Sequence, residues 1–458
     1  GVSDLAGNAA TAATGSFTMD STAPTLDPVV IASNSSYASN LAKVGDKISL
    51  TFTASEVISS PTVTIFDNPA DSVINTSGTN SWTAEYTMQS SDTDSNPPSV
   101  IPFKINFSDT AGNAGVQVST TTDSSNVVYD KTPPAVGLTV TDSGENSITT
   151  GSSIQSRIFT LSFVVSESNT DFSETTVSSS AGQLSNWSSS GTTHTATLTL
   201  TSDASVTISV AQNSFRDAVG NTNSDEISFV IISDTTAPSI TSPTMPWGNS
   251  LNSLEDDSDQ TVAITTTGVE DGQTVTITFT DNGSTSYTGQ ISGNASNIVI
   301  PAAYLQGLTD GGTITYSVGV SDLAGNAATA ATGSFTVDKT PPTVVTLTSS
   351  DADLIVKDSD NVTITATFSE KMTTAPQITI GSNAVVSMSL PSGGVGTIWE
   401  YVWDVPSGNS RETVTVSGSD VAGNAYVDSD SLIFTVDNTA PTVVTLTSSD
   451  ADLIVKDS

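Results

Sequence analysis

Apolar residues alternate with serine and threonine along most of the chain. Ile48, Leu50 and Phe52 do so, as do Phe159, Leu161, Phe163 and Val165, and again Val275, Ile277 and Phe279. Between residues 362 and 368, Val362, Ile364, Ala366 and Phe368 are interleaved with Thr363, Thr365 and Thr367. A period of two is the signature of a strand with one dry and one wet face. No stretch keeps a helical period of useful length, and the abundance of Ser, Thr and Val suits half-buried strands.

Residues 343–437 give the strand count. Strand A is expected near 343–348, B near 361–368, C near 376–380, D near 384–390, E near 397–404, F near 412–418 and G near 431–437. Seven short strands in about 100 residues, separated by turn signals, predict an immunoglobulin-like sandwich. Trp399, Tyr401 and Trp403 share one face of strand E and are read as core or sheet-face packing; Trp82, Tyr86 and Met88 hold a comparable place earlier.

One motif pair recurs five times. Asp4-Leu5-Ala6-Gly7-Asn8 is followed by Asp20-Ser21-Thr22-Ala23-Pro24, and equivalent turns begin at Asp109, Asp217, Asp322 and Asp420. Their linkers begin at Asp130, Asp234, Asp338 and Asp437. The turn aspartates are 105, 108, 105 and 98 residues apart, the period of whole domains in tandem. The fold class expected is all-β: tandem immunoglobulin-like Greek-key β-sandwich domains in a linear array. Residues 21–130, 131–234, 235–338 and 339–437 would be four such domains, with 1–20 a C-terminal piece and 438–458 an N-terminal piece of two others. Residues 1–20 repeat 319–338 except for Met19 against Val337, and 442–458 repeat 343–359. The chain is therefore expected to be a window on a longer array. Its linkers are short and contain proline, which fixes φ and holds the preceding residue extended, so neighbouring domains are expected to be stiffly joined and nearly collinear.

Composition narrows the chemistry. Eleven basic residues against 48 acidic ones give a net charge of −37, which disfavours nucleic acid and anionic membrane as partners and invites cations. With no cysteine, disulfides, thiolate metal sites and cysteine nucleophiles are excluded. The only histidine, His194, is expected as an exposed strand residue. No Gly-x-Ser-x-Gly elbow or phosphate loop appears in a strand-to-helix context, so no enzyme is expected.

The Asp-x-Ala-Gly-Asn turn, the Asp-x-Thr-Ala-Pro linker and Thr367-Phe368-Ser369-Glu370 resemble the bacterial Ig-like repeats of giant surface adhesins, of the biofilm-associated and RTX type. The resemblance covers the whole chain. It implies an extracellular, cell-surface extender, often stiffened by calcium between domains, and no enzymatic activity. Its partners would be neighbouring repeats of the same chain, with lateral self-association into fibres also open. Carbohydrate- or protein-binding modules of a secreted protein are the other reading.

Topology places the acidic motifs. In such a sandwich the N-terminus shares an end with the B–C and F–G loops, while strand G finishes at the other end. The Asp closing one domain should therefore meet the B–C and F–G carboxylates of the next. The first set is Asp20, Glu56 and Asp109; the second Asp130, Glu167 and Asp217. The third is Asp234, Glu270 or Asp271, and Asp322; the fourth Asp338, Glu370 and Asp420. Asn113, Asn221, Asn326 and Asn424 are close enough to add amide or backbone oxygens, and Asp437 would start a fifth set. Three neighbouring carboxylates repel unless a cation or protons neutralise them. Calcium accepts irregular shells of six to eight oxygens at about 2.3–2.6 Å, magnesium wants a stricter octahedron, and zinc wants His or Cys. The structural alternative is that each Asp simply caps a tight turn in which Gly or Asn takes positive φ. Glu255-Asp256-Asp257-Ser258-Asp259 and Asp92-Thr93-Asp94 are read as solvated loops. Asp351-Ala352-Asp353 resembles part of a calcium loop but lacks the glycine and distal Glu of an EF-hand.

Overall fold

The structure, a computed structural model, describes residues 1–76, 79–94, 99–168, 170–447 and 449. Of the expected terminal piece 438–458, residues 448 and 450–458 lie outside the described residues. The chain divides into two compact units, Gly1–Thr235 and Thr236–Ser458. Each unit contains two separate apolar cores; the first core is enclosed by three sheets, with strand G in a different sheet from C and F, and each of the others by two.

In the first sandwich, one sheet runs in the order Leu26–Ser33, Lys47–Ala54, Ser81–Thr87, Ser72–Asn75, all antiparallel, which are strands A, B, E and D. Against it lie Thr62–Ile65 (C), Phe103–Asn106 (F) and Val128–Tyr129 (G). The second sandwich pairs Val136–Asp142, Ile158–Val165, Thr193–Thr199 and Gln183–Ser190 in one sheet, with Ile227–Ser233, Ala204–Val210 and Val177–Ser179 in the other. In the second unit, Ser239–Thr241, Gln260–Thr267 and Ala295–Ile300 face Ala331–Val337, Thr313–Gly319, Thr274–Thr280 and Ser284–Gln290. Finally Val344–Ser349, Asn361–Phe368 and Ile398–Asp404 face Ser431–Val436, Ser410–Ser417 and Gln377–Ile380. This is the A-B-E(-D) against C-F-G arrangement of immunoglobulin-like sandwiches, in tandem.

The alternation in sequence becomes alternation in burial. In strand B of the first sandwich Ile48, Leu50, Phe52 and Ala54 are buried while Lys47 and Thr51 are exposed. Trp399 and Trp403 lie in the core and Tyr401 packs against it. His194 departs from expectation. It is buried, accepts or donates a 2.8 Å hydrogen bond with the Ser189 hydroxyl, and packs against Phe172 and Trp187. The reason is parity, since it shares a strand face with Ala196 and Leu198. The segment expected as strand D, 384–390, also differs. Val386–Ser387 pairs with strand C, and only Ser389 bridges to strand E at Glu400.

Four short strands were not expected. Leu41–Ala42, Ser152–Ile154, Ser250–Leu251 and Ile355–Val356 each pair in parallel with strand G of their own domain. Their carbonyls fix the residue that closes each domain. The amides of Asp130, Asp234, Asp338 and Asp437 donate to Ala42, Ile154, Leu251 and Val356 at 3.0, 3.0, 2.9 and 2.9 Å. Among the described residues no helix is long and apolar enough to cross a membrane.

Candidate metal centres

Three pieces of local structure build each site. The first is the F–G turn. Asp109 Oδ1 accepts the Asn113 amide at 2.8 Å while Asn113 Nδ2 donates to Asp109 Oδ2 at 2.7 Å. The same pair of bonds recurs in Asp217/Asn221, Asp322/Asn326 and Asp420/Asn424. The glycine between them sits at φ +97°, +95°, +94° and +101°, a region in which a Cβ is strained. The sequence Asp-x-Ala-Gly-Asn thus wraps its backbone around its own carboxylate.

The second piece is Ser-Glu, immediately after strand B. The amides of Ser55, Ser166 and Ser369 donate to Thr25, Ala135 and Thr343, and their hydroxyls accept the amides of those same residues. Serine thereby pins the chain that has just left the linker, and Glu56, Glu167 and Glu370 follow it at one fixed place. In sequence the Ser stands out only as the neighbour of the Glu, with no task of its own. The third piece is the linker Asp, whose carboxylate accepts the amide two residues on: Thr22 from Asp20, Thr132 from Asp130 and Thr439 from Asp437, at 3.0, 2.9 and 2.9 Å.

These pieces converge. Asp20, Glu56 and Asp109 each offer a carboxylate oxygen within 4.8 Å of the others, and so do Asp130, Glu167 and Asp217, and Asp338, Glu370 and Asp420. The asparagines approach differently from expectation. Asn113, Asn221 and Asn424 turn Nδ2, a donor, toward the main-chain oxygens of Asp20, Asp130 and Asp338 at 3.1, 3.1 and 2.8 Å. Asn424 Oδ1 accepts from the Ser253 amide and hydroxyl. Each asparagine therefore ties a linker to the next F–G turn through its nitrogen. The residues of the third expected set are divided between the two units. Within the second unit, Glu270 accepts the Leu323 amide of the F–G turn at 2.8 Å, whereas Asp271 is turned to the Gly293 amide at 2.7 Å. Asp437 is exposed.

The trios carry unbalanced charge. Burial, then Asp217, Asp130 and Asp94, push the Glu167 carboxyl up to about 7. Burial followed by the neighbouring carboxylates also raises Glu56, Glu370, Asp130 and Asp338. Asp109, by contrast, is held below the usual range, chiefly by the Asn113 amide. The lysines next in sequence do not relieve the excess. Lys131 Nζ donates to the carbonyls of Ser90 and Asp92, and Lys339 Nζ to those of Leu305 and Gln306, with a 2.8 Å ion pair to Asp256. Oxygen-only donors with uncompensated negative charge fit a hard divalent cation.

The two acidic loops expected to be solvated are structural. Asp92 is buried and accepts from Tyr86 Oη and Asn68, and Asp256 is buried against Lys339. Asp94 accepts the Lys131 amide and the Thr132 hydroxyl, holding the linker from upstream. Asp351 and Asp353 each accept a local amide, from Leu354 and Ile355. Contacts beside the trios join the same elements. Arg216 donates to Tyr37 Oη at 2.6 Å, and the Tyr37 ring lies against Gly220. In the second unit, Asn252 Nδ2 donates to the Ala422 carbonyl at 2.9 Å.

Residues 130–232 match the family described as bacterial Ig-like domain. That segment is a bacterial Ig-like domain. It includes strands A through G of the second sandwich and, with Asp130, Glu167 and Asp217, one complete trio. No curated protein matches the chain. Among solved structures, a tetra-tandem repeat in the extending region of a large adhesion protein is 19% identical, covering 90% of this chain and 100% of its own, with a TM-score of 0.35. A Ca²⁺-stabilized adhesin of an Antarctic bacterium is also 19% identical over 90% of this chain and 100% of its own, at 0.28. Cadherin domains 3–6 of protocadherin gamma B2 are 13% identical over 91% of this chain and 100% of theirs, at 0.29. Likenesses at these scores carry nothing about function.

Proposed function

We propose that the chain is a structural extender of a bacterial extracellular adhesin or fibre, built of Ig-like domains 21–130, 131–234, 235–338 and 339–437, with joints stiffened by calcium. The observation that carries this reading is the repetition of one trio: a carboxylate closing one domain meets two carboxylates of the next, at three joints. A catalytic centre has no need of repetition, whereas a strut needs the same device at every joint. Calcium would be held by Asp20, Glu56 and Asp109, by Asp130, Glu167 and Asp217, and by Asp338, Glu370 and Asp420. Bound there it would supply the positive charge the trios lack. The protein's own part is placement. Short parallel strands fix Asp130 and Asp338, Ser-Glu fixes the downstream Glu, and the F–G turn presents its Asp prefolded. The donated Asn amides hold linker and turn together, so a cation would meet ligands already ordered.

The test is the full chain in saturating calcium and in chelator, followed by thermal melting and small-angle scattering. Calcium should raise the melting temperature and lengthen the maximum dimension. Coincident melts and coincident scattering curves in the two conditions would remove calcium from the proposal.

A further inference from the structure

We propose that the loop between strands E and F of the upstream domain supplies a fourth carboxylate, Asp94, to the joint of Asp130, Glu167 and Asp217, and that Asp94 sets how tightly this joint holds its cation. The inference rests on the calcium reading of the trios and adds to it a residue from a third element.

The position has a structural task of its own. Asp94 Oδ2 accepts the Lys131 amide at 3.0 Å and the Thr132 hydroxyl at 2.8 Å. Asp310 clamps Lys339 and Thr340 with both of its oxygens, Oδ1 accepting the amide at 2.8 Å and Oδ2 the hydroxyl at 2.5 Å. Asn409 repeats the clamp one domain later, with Oδ1 accepting the Asn438 amide and Nδ2 donating to the Thr439 hydroxyl, both at 2.7 Å. An amide therefore performs the clamp as well as a carboxylate does. What the clamp leaves unexplained is the charge.

Two observations say where the charge is directed. The second oxygen of Asp94, Oδ1, is buried and has no hydrogen-bond partner. A buried carboxylate oxygen without a donor is costly unless a cation or proton serves it. In addition, the Asp94 carboxyl lies within hydrogen-bond reach of Asp130, and its charge bears on both Asp130 and Glu167. Two carboxyls in such contact share a proton or a metal ion. Calcium, which takes six to eight oxygens, has room for a fourth carboxylate beside the trio. The E–F position then works as a charge setting. Asp adds a negative donor to the joint while Asn keeps the clamp and adds none.

Asn409 supplies the design of the test, because it shows that Asn fits the clamp. Asp94→Asn is made in the full chain, with Asp310→Asn, at a carboxylate whose two oxygens both serve its clamp, as the comparison. Calcium binding is followed by titration calorimetry after chelation, and melting is recorded in chelator. Asp94→Asn should weaken calcium binding at one class of site by about tenfold or more, while the melting temperature in chelator stays level or rises as repulsion is relieved. If the wild-type chain binds no calcium, the reading of the trios themselves fails. If the wild type binds and Asp94→Asn binds equally well, the fourth carboxylate is overturned and the trios stand. Weakened binding with a matching fall of the melting temperature in chelator overturns it too, because the role would then be the clamp alone.

Discussion

Residues 1–20 and 319–338 are the same sequence but for Met19 and Val337, and they have different fates. In the second copy Ala331–Val337 is strand G, with Phe335 only 2% exposed in a core of aromatic and aliphatic side chains. In the first copy no strand forms and Phe17 is 87% exposed. Yet one feature survives unchanged. Asp4 Oδ1 accepts the Ala6 and Asn8 amides, Asn8 Nδ2 donates to Asp4 Oδ2, and Gly7 takes a φ of +87°. The strand is a product of partners distant in sequence, whereas the Asp-x-Ala-Gly-Asn turn is complete within five residues. A joint carboxylate in such a turn is held by bonds within those five residues.

The largest break in the comparison should come from the side chain whose fate differs most. Phe335→Ala removes a ring that meets Trp247 and Phe279 edge-on. It should destabilise its domain by about 3–5 kcal/mol, as buried Phe truncations do. Phe17→Ala, the same change in the same local sequence, should leave the melting curve unmoved. Chemical denaturation of both variants checks this; equal losses would mean that the first copy is packed as well.

The turn offers a smaller and opposite test, in which local geometry should matter wherever the motif sits in a domain. Gly325 and Gly220 both have positive φ, but a Cβ at Gly325 meets open space while one at Gly220 would fall 2.2 Å from the Tyr37 ring. Gly325→Ala should therefore cost about 1–2 kcal/mol from backbone strain alone. Gly220→Ala should cost more, since it must also displace Tyr37 from beside Arg216. Tyr37→Ala should bring the two glycine substitutions to the same cost, which urea denaturation would read directly.

This division also explains what could be read from the sequence. Period-two runs such as Lys47–Ala54 and Asn361–Phe368 carry their own evidence of a buried face, and the strands lie where the runs are. The meeting of Asp130, Glu167 and Asp217 follows from sandwich topology plus three recognisable motifs. His194 was legible through its parity with Ala196 and Leu198, and was misread because one polar residue was given more weight than the face it stands on. The parallel strands beside G were not legible: two or three residues are too few to show a period. Nor was the clamp by Asp94 and Asp310. Its geometry depends on a loop meeting a linker of its own domain more than 28 residues away, and acidic loops without such contacts look the same in sequence.

The smallest effect separates a sealed joint from an open one. Glu56 and Glu167 follow strand B in the same way and face the same two motif aspartates. Asp20 is exposed, however, whereas Asp130 is buried and is followed by Lys131 and Thr132, which Asp94 of the upstream loop clamps. Glu167 is accordingly pushed up to about 7, burial being the leading cause. In chelator, between about 4.5 and 7, the folded chain keeps a proton that the unfolded chain has released. Stability must then fall as pH rises through that window, and the penalty is complete above it. Glu167→Gln should remove the Glu167 share of the fall, leaving that of the other raised carboxyls, and make the metal-free protein more stable than wild type at pH 8, by about 1 kcal/mol once solvent screening is allowed for. The two should converge below pH 4.5. His194, whose imidazole burial lowers its affinity for a proton, pulls the other way below about 6.5. It is present in both proteins and cancels in their difference. Saturating calcium should reverse the order, because the substitution then deletes a ligand. Glu56→Gln should show the same signs with a smaller amplitude. If the amplitudes are equal, burial by the upstream loop has no part in setting the joint's charge.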